Sequence, residues 1–431
     1  MRFIDLFAGL GGFNIALRAL GHKCVFASEI DASLCELYLQ NFGIRPSGDI
    51  RTVRVENIPR HDILCAGFPC QPFSKAGKLK GLSDKERGTL FEEIIRILAF
   101  HKPKYFILEN VPFIKKQNNE LTWQYIENKL KSLEYDIDSQ ILSPHHFGIP
   151  QHRKRLFIVG SLKGLGSFTW PSSSAAPTSI KDIIFEGSSL GKKIEPEKIE
   201  ALNLWQEFID IVSQYDEVPK VPIWGMEYGA TYPFEDVTPF SISVEELSCY
   251  KGAFGASLCL STKEKQFSKL PRYAIYKQRN FPHWKKRFIR ENRRFFCKYK
   301  KQLKDVMLKI KRLPVHSWQK LEWNVSGKSK NIYNYIIQFR PSGIRVKDIN
   351  FAPSLVCTTS QVPIVGWEKR YLSVEEAARL QSMECIKMPK NPSLAFKSLG
   401  NAVNVTIVKN IAKNLLPETS CSHTSKKAKL S

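Results

Sequence analysis

The first twenty residues constrain the fold most, because they set a strand, a glycine turn and a helix in immediate succession. Arg2-Phe3-Ile4-Asp5-Leu6-Phe7 reads as a short buried strand, runs into Ala8-Gly9-Leu10-Gly11-Gly12-Phe13, and gives way to a helical pattern over residues 14–20. Glycines at such a turn let backbone N–H groups approach a nucleotide-like ligand closely. Gly9, Gly11 and Gly12 do not reproduce G-x-G-x-x-G, so the turn alone is equally well a tight loop. The next strand, 23–28, runs into Glu29, roughly 20 residues beyond the turn, where α/β folds set an acid on ribose hydroxyls. Strand and helix patterns alternate to about residue 165, which predicts an α/β fold with a doubly wound, mostly parallel sheet.

A second apolar run, Asp62-Ile63-Leu64-Cys65-Ala66-Gly67, leads into Phe68-Pro69-Cys70-Gln71-Pro72. A strand that ends at Gly67 and cannot continue through Pro69 presents the Cys70 thiol at the carboxyl edge of the sheet, where open α/β folds keep their ligands. An isolated Pro-Cys pair is otherwise a turn with an incidental thiol, cysteine being a small apolar side chain. Glu109 closes the apolar run Tyr105-Phe106-Ile107-Leu108 and is placed at the same edge. Arg153 and Arg155 precede Leu156-Phe157-Ile158-Val159-Gly160 two residues apart, so period two predicts both guanidinium groups on one face.

These segments resemble the motifs of the DNA (cytosine-5) methyltransferases, of the kind found in prokaryotic restriction-modification systems. The resemblance rests on Asp5-Leu6-Phe7-Ala8-Gly9-Leu10-Gly11-Gly12, on Gly67-Phe68-Pro69-Cys70-Gln71-Pro72-Phe73-Ser74 and on Glu109-Asn110-Val111. It continues in order through Gln151-His152-Arg153-Lys154-Arg155, Arg340-Pro341-Ser342-Gly343-Ile344-Arg345 and Gly400-Asn401-Ala402-Val403. It covers residues 1–165 and 338–416 and implies a Rossmann-like S-adenosylmethionine-dependent methyltransferase sheet with a second, smaller target-recognition domain. It implies S-adenosylmethionine held by Phe7, Ala8, Gly9, Leu10, Gly11 and Gly12, with Glu29 on the ribose, Asp49 and Ile50 at the adenine, and Pro69, Asn401 and Val403 completing the site.

Carbon 5 of cytosine is too electron-poor to accept a methyl group unless a nucleophile first adds at carbon 6. Cys70 is the candidate nucleophile, acting as thiolate, and Glu109 the acid at N3, its pKa raised by burial. The resemblance implies that both arginines bracket the flipped base; the division adopted between them is Arg155 on the cytosine O2 and Arg153 on the Cys70 loop or a phosphate. Reaching a cytosine in duplex DNA requires that the nucleotide be swung out. Residues 75–88 are basic and glycine-punctuated, suiting a loop that closes over phosphates, with Gln71, Ser74, Lys78 and Arg87 toward DNA.

Composition agrees with a polyanionic partner. The net charge is +24, and residues 265–312 alone carry 18 lysines and arginines against Glu291 and Asp305. Phe288, Phe295, Tyr299, Leu303, Val306 and Ile310 recur at three- and four-residue steps there, predicting a single basic amphipathic helix. Arg272, Arg279, Lys285 and Arg287 are its candidate DNA contacts. No signal peptide, lipidation motif or long apolar run points to a membrane. Neither C-x-x-C nor H-E-x-x-H occurs, so no metal site is expected. The ten cysteines show no paired framework, which suits a reducing, cytoplasmic interior.

The expected organisation is a catalytic domain over 1–170 and 394–416, a DNA target-recognition domain over 171–360, a hinge over 361–393 and a disordered tail from 417. A monomer paired functionally with a restriction endonuclease, acting on double-stranded DNA in a prokaryotic cell, is the simplest expectation. A tRNA cytosine-5 methyltransferase and a non-catalytic DNA-binding regulator are the alternatives. Amino-group methylation is disfavoured because no Asp/Asn-Pro-Pro-aromatic tetrapeptide occurs.

Overall fold

The structure, a computed structural model, describes residues 1–68, 90–118, 120–173, 176–187, 190–327, 329–355 and 361–417. Pro69, Cys70, Gln71, Ser74, Lys78, Arg87 and the tail from 418 lie outside the described residues. The chain divides into two compact units, the first Met1–Ile184 with Asn350–Thr359 and Val374–Ser431, the second Phe185–Ile349 with Ser360–Ser373.

Seven strands of the first unit are numbered in chain order: β1 Arg2–Leu6, β2 Lys23–Ser28, β3 Ile63–Gly67, β4 Tyr105–Asn110, β5 Asp136–Leu142, β6 Gln151–His152 and β7 Arg155–Ser161. Six of them form one sheet in the order β2-β1-β3-β4-β7-β5. The pairs among β2, β1, β3 and β4 are parallel, while β7 runs antiparallel to both β4 and β5. The chain winds from β1 outward to β2 and then to the other side of β1 through β3, so the strand order reverses between β1 and β3, where open α/β sheets bind ligands. β3 and β4 are buried almost throughout, as expected of parallel strands covered on both faces. Phe91, Ile94, Ile97 and Leu98 of helix Leu90–His101 pack in one core with Ile4, Leu64, Phe106 and Leu108 of the strands. Their period of three to four is that of a helix with one apolar face.

Two features of this unit extend it beyond the expected boundaries. Ile180 and Ile183 of the 3-10 turn Ile180–Ile183 are buried, Thr178 bonds to the Asn350 carbonyl and Arg379 to the Ile183 carbonyl, so the first unit runs past residue 170, where the recognition domain was expected to begin, to Ile184. The stretch read as a hinge at 361–393 is shared: helix Val374–Arg379 falls in the first unit, and the short strands Ile364–Val365 and Arg370–Tyr371 in the second.

The second unit is not built on βα alternation. Its sheet joins Ile223–Trp224, Lys320–Asn324, Gly343–Lys347, Ile336–Arg340, Ile364–Val365 and Arg370–Tyr371, in that spatial order. Ile336–Arg340 and Gly343–Lys347 form a tight hairpin, with Arg340 opposite Gly343. The single basic helix read from the sequence is two helices, His283–Lys298 and Lys304–Lys311. The buried face of the first carries Lys285, Ile289, Asn292 and Phe296, one step round from the apolar stripe read through Phe288 and Phe295. Polar side chains occupy it because Asn292 accepts from the Trp224 N–H and donates to the Pro222 carbonyl, a role that hydrophobic spacing does not mark.

Candidate active site

The ends of β2, β1, β3 and β4, with the start of the antiparallel β7, meet along one edge of the sheet. Register fixes who faces whom: Leu6 lies opposite Ser28 and Ala66, Gly67 opposite Glu109, and Asn110 opposite Leu156, one residue beyond Arg155. A cavity of about 960 Å³ opens there, lined by the glycine turn, Glu29, Asp49, Ile50, Glu109, Arg153, Arg155 and the segment around Asn401.

The turn after β1 is shaped by backbone conformations that glycine permits. Phe7, Gly9 and Gly11 all have positive φ, at 57°, 52° and 81°, and Phe7 is the one non-glycine held there, at a cost of order 1–3 kcal/mol. A methyl group on Gly11 would lie 2.4 Å from the Phe42 ring, and one on Gly12 would lie 2.6 Å from Val403 Cγ1 and 2.8 Å from its carbonyl oxygen. Gly12 therefore lets the segment at Val403 lie against α1 (Gly12–Arg18). Glu29 faces the turn: its Oε2 accepts from the Gly9 N–H at 2.9 Å and its Oε1 from the Asp31 N–H at 2.9 Å. Asp49 caps the 3-10 turn Ile50–Thr52, and its carboxyl is held below the usual range, chiefly by the Arg51 side chain.

Glu109 is buried at the end of β4, with Arg155 Nε 3.0 Å from its Oε1. Burial raises its pKa above the usual carboxyl value, opposed by the charges of Arg155 and Arg153. Arg153 also ties in the C-terminal segment. It is 2 % exposed, and one guanidinium nitrogen donates to the Gly400 carbonyl at 2.7 Å and the Ala402 carbonyl at 3.0 Å. The last carbonyls of helix Pro392–Asn401 lack helical partners, as at any helix end, and the buried cation satisfies them. Arg153 is thus a clasp on the segment carrying Asn401 and Val403.

Several contributors escaped the sequence reading. Asn110 donates to the Phe68 carbonyl at 3.0 Å, holding the end of β4 to the last described residue before Pro69. Ser28 Oγ donates to the Gly48 carbonyl at 2.7 Å. Beneath the glycine turn, Asp5 is fully buried. Its Oδ2 accepts from Tyr38 Oη at 3.1 Å, which itself accepts from Asn14 Nδ2 at 2.7 Å. Burial, the largest influence, lifts the Asp5 pKa from 3.8 to about 8. The signal was present in the sequence as a lone acid within Phe3-Ile4-Asp5-Leu6. Two buried thiols are unreactive by environment: burial pushes Cys24 up to about 12 and Cys65 also upward.

Of the candidate contacts in the second unit, Arg272, Arg279 and Arg287 are exposed. Lys285 is not. It is 5 % exposed, its Nζ donates to the Tyr273 carbonyl at 2.9 Å, and burial lowers its pKa. Its ammonium lies 4.8 Å from the Tyr276 ring centroid and 4.7 Å from that of Phe281. Aromatic faces replace the water that a phosphate contact would need it to keep.

The family model for C-5 cytosine-specific DNA methylase matches residues 1–417. The chain belongs to this family. Among relatives of this methylase, the Type II methyltransferase M.HhaI of Haemophilus parahaemolyticus is 43% identical over 192 residues, 44% of this chain and 58% of that protein. M.HaeII of Haemophilus aegyptius, also a Type II methyltransferase, is 49% identical over 162 residues, 38% of this chain and 51% of that protein. The matched stretch thus spans about half the length of these relatives. Solved structures share the fold: a DNA modification methyltransferase encoded within an E. coli prophage has a TM-score of 0.52 at 18% identity, covering 96% of this chain and 98% of its own. The S. pombe Dnmt2 methyltransferase has a TM-score of 0.50 at 17% identity, covering 96% and 98%.

The cofactor of the methylase family is S-adenosylmethionine, and the cavity fits it. Phe7, Ile50 and the 70 % exposed Ile30 offer apolar surface for a base, Glu29 a carboxylate for ribose hydroxyls, and the missing side chain of Gly9 leaves backbone open to the ligand. Among the described residues no His/Cys/Asp/Glu group could hold a metal, and no helix is long and apolar enough to cross a membrane.

Proposed function

We propose that this methylase transfers a methyl group from S-adenosylmethionine to carbon 5 of cytosine in a specific duplex DNA sequence, in the setting of a type II restriction-modification system. The observation that carries the reading is the Glu109–Arg155 pair at the edge of the same cavity as the glycine turn, across β4 from the strand that leads into Cys70.

Bound at the turn, the cofactor supplies an electrophilic methyl on a sulfonium. The residues of the chain prepare the base. The Cys70 thiolate adds to carbon 6, and the electron pair of the C5–C6 bond moves onto carbon 5. Glu109, whose hold on a proton burial strengthens, donates toward N3 and takes up the charge that the addition places on the ring. Arg155 holds the Glu109 carboxyl in place and presents its remaining N–H groups to the base carbonyl, O2. Arg153 keeps Asn401 and Val403 against the turn. Once carbon 5 carries the methyl beside its own proton, N3 returns its proton to Glu109, and loss of the C5 proton to water returns an electron pair to the ring and expels the Cys70 thiolate, which restores aromaticity. None of this is possible for a stacked base, so the target nucleotide is swung into the cavity at a cost of a few kcal/mol. In its biological setting the mark would shield DNA from a companion endonuclease.

The test incubates the protein and its Cys70→Ala variant with labelled S-adenosylmethionine and long mixed-sequence duplex DNA, followed by mapping of 5-methylcytosine at base resolution. Cys70-dependent methylation at one short motif is the expected result. Labelling of tRNA instead of DNA, or an active Cys70→Ala protein, would overturn the reading.

A further inference from the structure

In the second unit, residues 275–280 run from the 3-10 turn Arg272–Ala274 to the helix His283–Lys298. Lys277, Gln278, Arg279 and Asn280 are all exposed on this loop, and large apolar side chains flank them in the open, Tyr276 at 58 % and Trp284 at 53 % exposure. No acid occurs from 271 to 284. Arg287 and Arg290 of the following helix are met by Glu291 and Glu235, but Arg272, Lys277 and Arg279 have no acidic partner among the described residues. The neighbouring loop adds the exposed Val237 and Phe240 and carries two acids, Asp236 and the Glu235 already paired with Arg290.

The loop is exposed and also firmly supported. Thr238 Oγ1 donates to the Gln278 carbonyl at 2.6 Å, and the Gln278 N–H bonds to the Tyr276 carbonyl at 2.7 Å. Phe281 is buried at its foot. The buried Lys285 ammonium sits within 6 Å of the Tyr276, Phe281 and Trp284 rings, at 4.8, 4.7 and 5.9 Å. It also bonds to the carbonyl of Tyr273, whose hydroxyl bonds to the buried Glu227 at 2.7 Å. Glu227 in turn is paired with Arg293 at 2.8 Å. Interior charge is spent, in effect, on holding a surface loop still, as a recognition element requires.

Resting on the proposed methylation of duplex DNA, we infer that this loop reads the base sequence. Arginine, glutamine and asparagine are the side chains that pair with guanine and adenine edges in the major groove. Here three of them stand consecutively on a braced, cationic loop between two exposed aromatics. Arg279, with Gln278 and Asn280, meets base edges; Arg272 and Lys277 take phosphates; Tyr276 and Trp284 pack on sugar or an unstacked base. Lys285 is a positioning residue, acting through the two rings.

The experiment uses the full chain, S-adenosylmethionine and a pool of duplexes randomised over a window of base pairs, with 5-methylcytosine mapped for each variant. In Arg279→Ala and Gln278→Ala, discrimination at one or two base positions should fall on the order of 10- to 100-fold, with thermal midpoints matching wild type. Arg272→Ala and Lys277→Ala should instead weaken binding to all sequences alike and lower the salt slope by about 1 each. Lys285→Met should relax the motif without changing the salt slope. If Arg279→Ala and Gln278→Ala methylate the wild-type motif with undiminished discrimination, the loop is not the reader. A wild-type chain that methylates no duplex DNA overturns the reaction itself, and this inference with it.

Discussion

Replacing Asp5 with asparagine should change how stability depends on pH. The Asp5 carboxyl is fully buried and its pKa stands near 8 in the folded chain against 3.8 for an ordinary aspartate. The folded state therefore holds a proton that the unfolded chain releases. Between these two values the unfolded state binds fewer protons, so stability falls as pH rises, by about 1.4 kcal/mol per pH unit from this group. Below 3.8 both states are protonated and the loss vanishes; above about 8 both are ionised and it levels off. An amide of nearly the same shape keeps an acceptor for Tyr38 and has no proton to release. Asp5→Asn should thus gain on the wild type by about 3 kcal/mol between pH 5 and pH 7, all other titrating groups cancelling in the difference. Urea unfolding of both proteins from pH 4.5 to 9, followed by circular dichroism, measures it. Parallel stability curves would refute the assignment of a neutral Asp5.

Further outcomes follow from the site. Glu109→Gln should slow methyl transfer strongly while leaving DNA affinity in place. Because Glu109 acts protonated and burial raises its pKa, the wild-type single-turnover rate should fall as pH rises through that pKa, a limb the glutamine variant should lack. Arg153→Met removes two bonds from a charged donor to the Gly400 and Ala402 carbonyls, each worth about 1.5–3 kcal/mol. Calorimetry should show S-adenosylmethionine binding weakened on the order of 10- to 100-fold, and unchanged binding would remove Arg153 from its role as clasp. Gly12→Ala forces a methyl to within 2.6 Å of Val403 Cγ1. It should destabilise the chain by about 1–3 kcal/mol, visible as a lower thermal midpoint, and raise KM for the cofactor.

Local order was legible where one strand, turn or helix carries its own signature. Strand 63–67 was read from an unbroken apolar run, and the turn at Gly9 and Gly11 from residues that alone reach positive φ without strain. Glu109 was placed at a strand end because Tyr105-Phe106-Ile107-Leu108 ends there, and its placement in the structure is the same. Less was legible where a side chain's partner is remote in sequence. Arg153 finds its acceptors some 247 residues away at Gly400, and nothing in Gln151-His152-Arg153 announces a helix end as neighbour. Lys285 looked like a surface cation because charge usually stays in water; only the convergence of Tyr276, Phe281 and the Tyr273 carbonyl made its burial tolerable.

The sequence by itself determined the order of strands and turns, the residue types at the sheet edge and the family, since each depends on backbone propensity and spacing within a few residues. The tertiary structure alone decided which polar groups are buried and whom they pair with: Asp5 with Tyr38, Arg153 with the end of helix Pro392–Asn401, Glu109 with Arg155. Desolvation makes an unpaired buried charge so costly that its position is set by whichever acceptors packing brings within reach. That reach spans the chain and leaves no periodic trace in it.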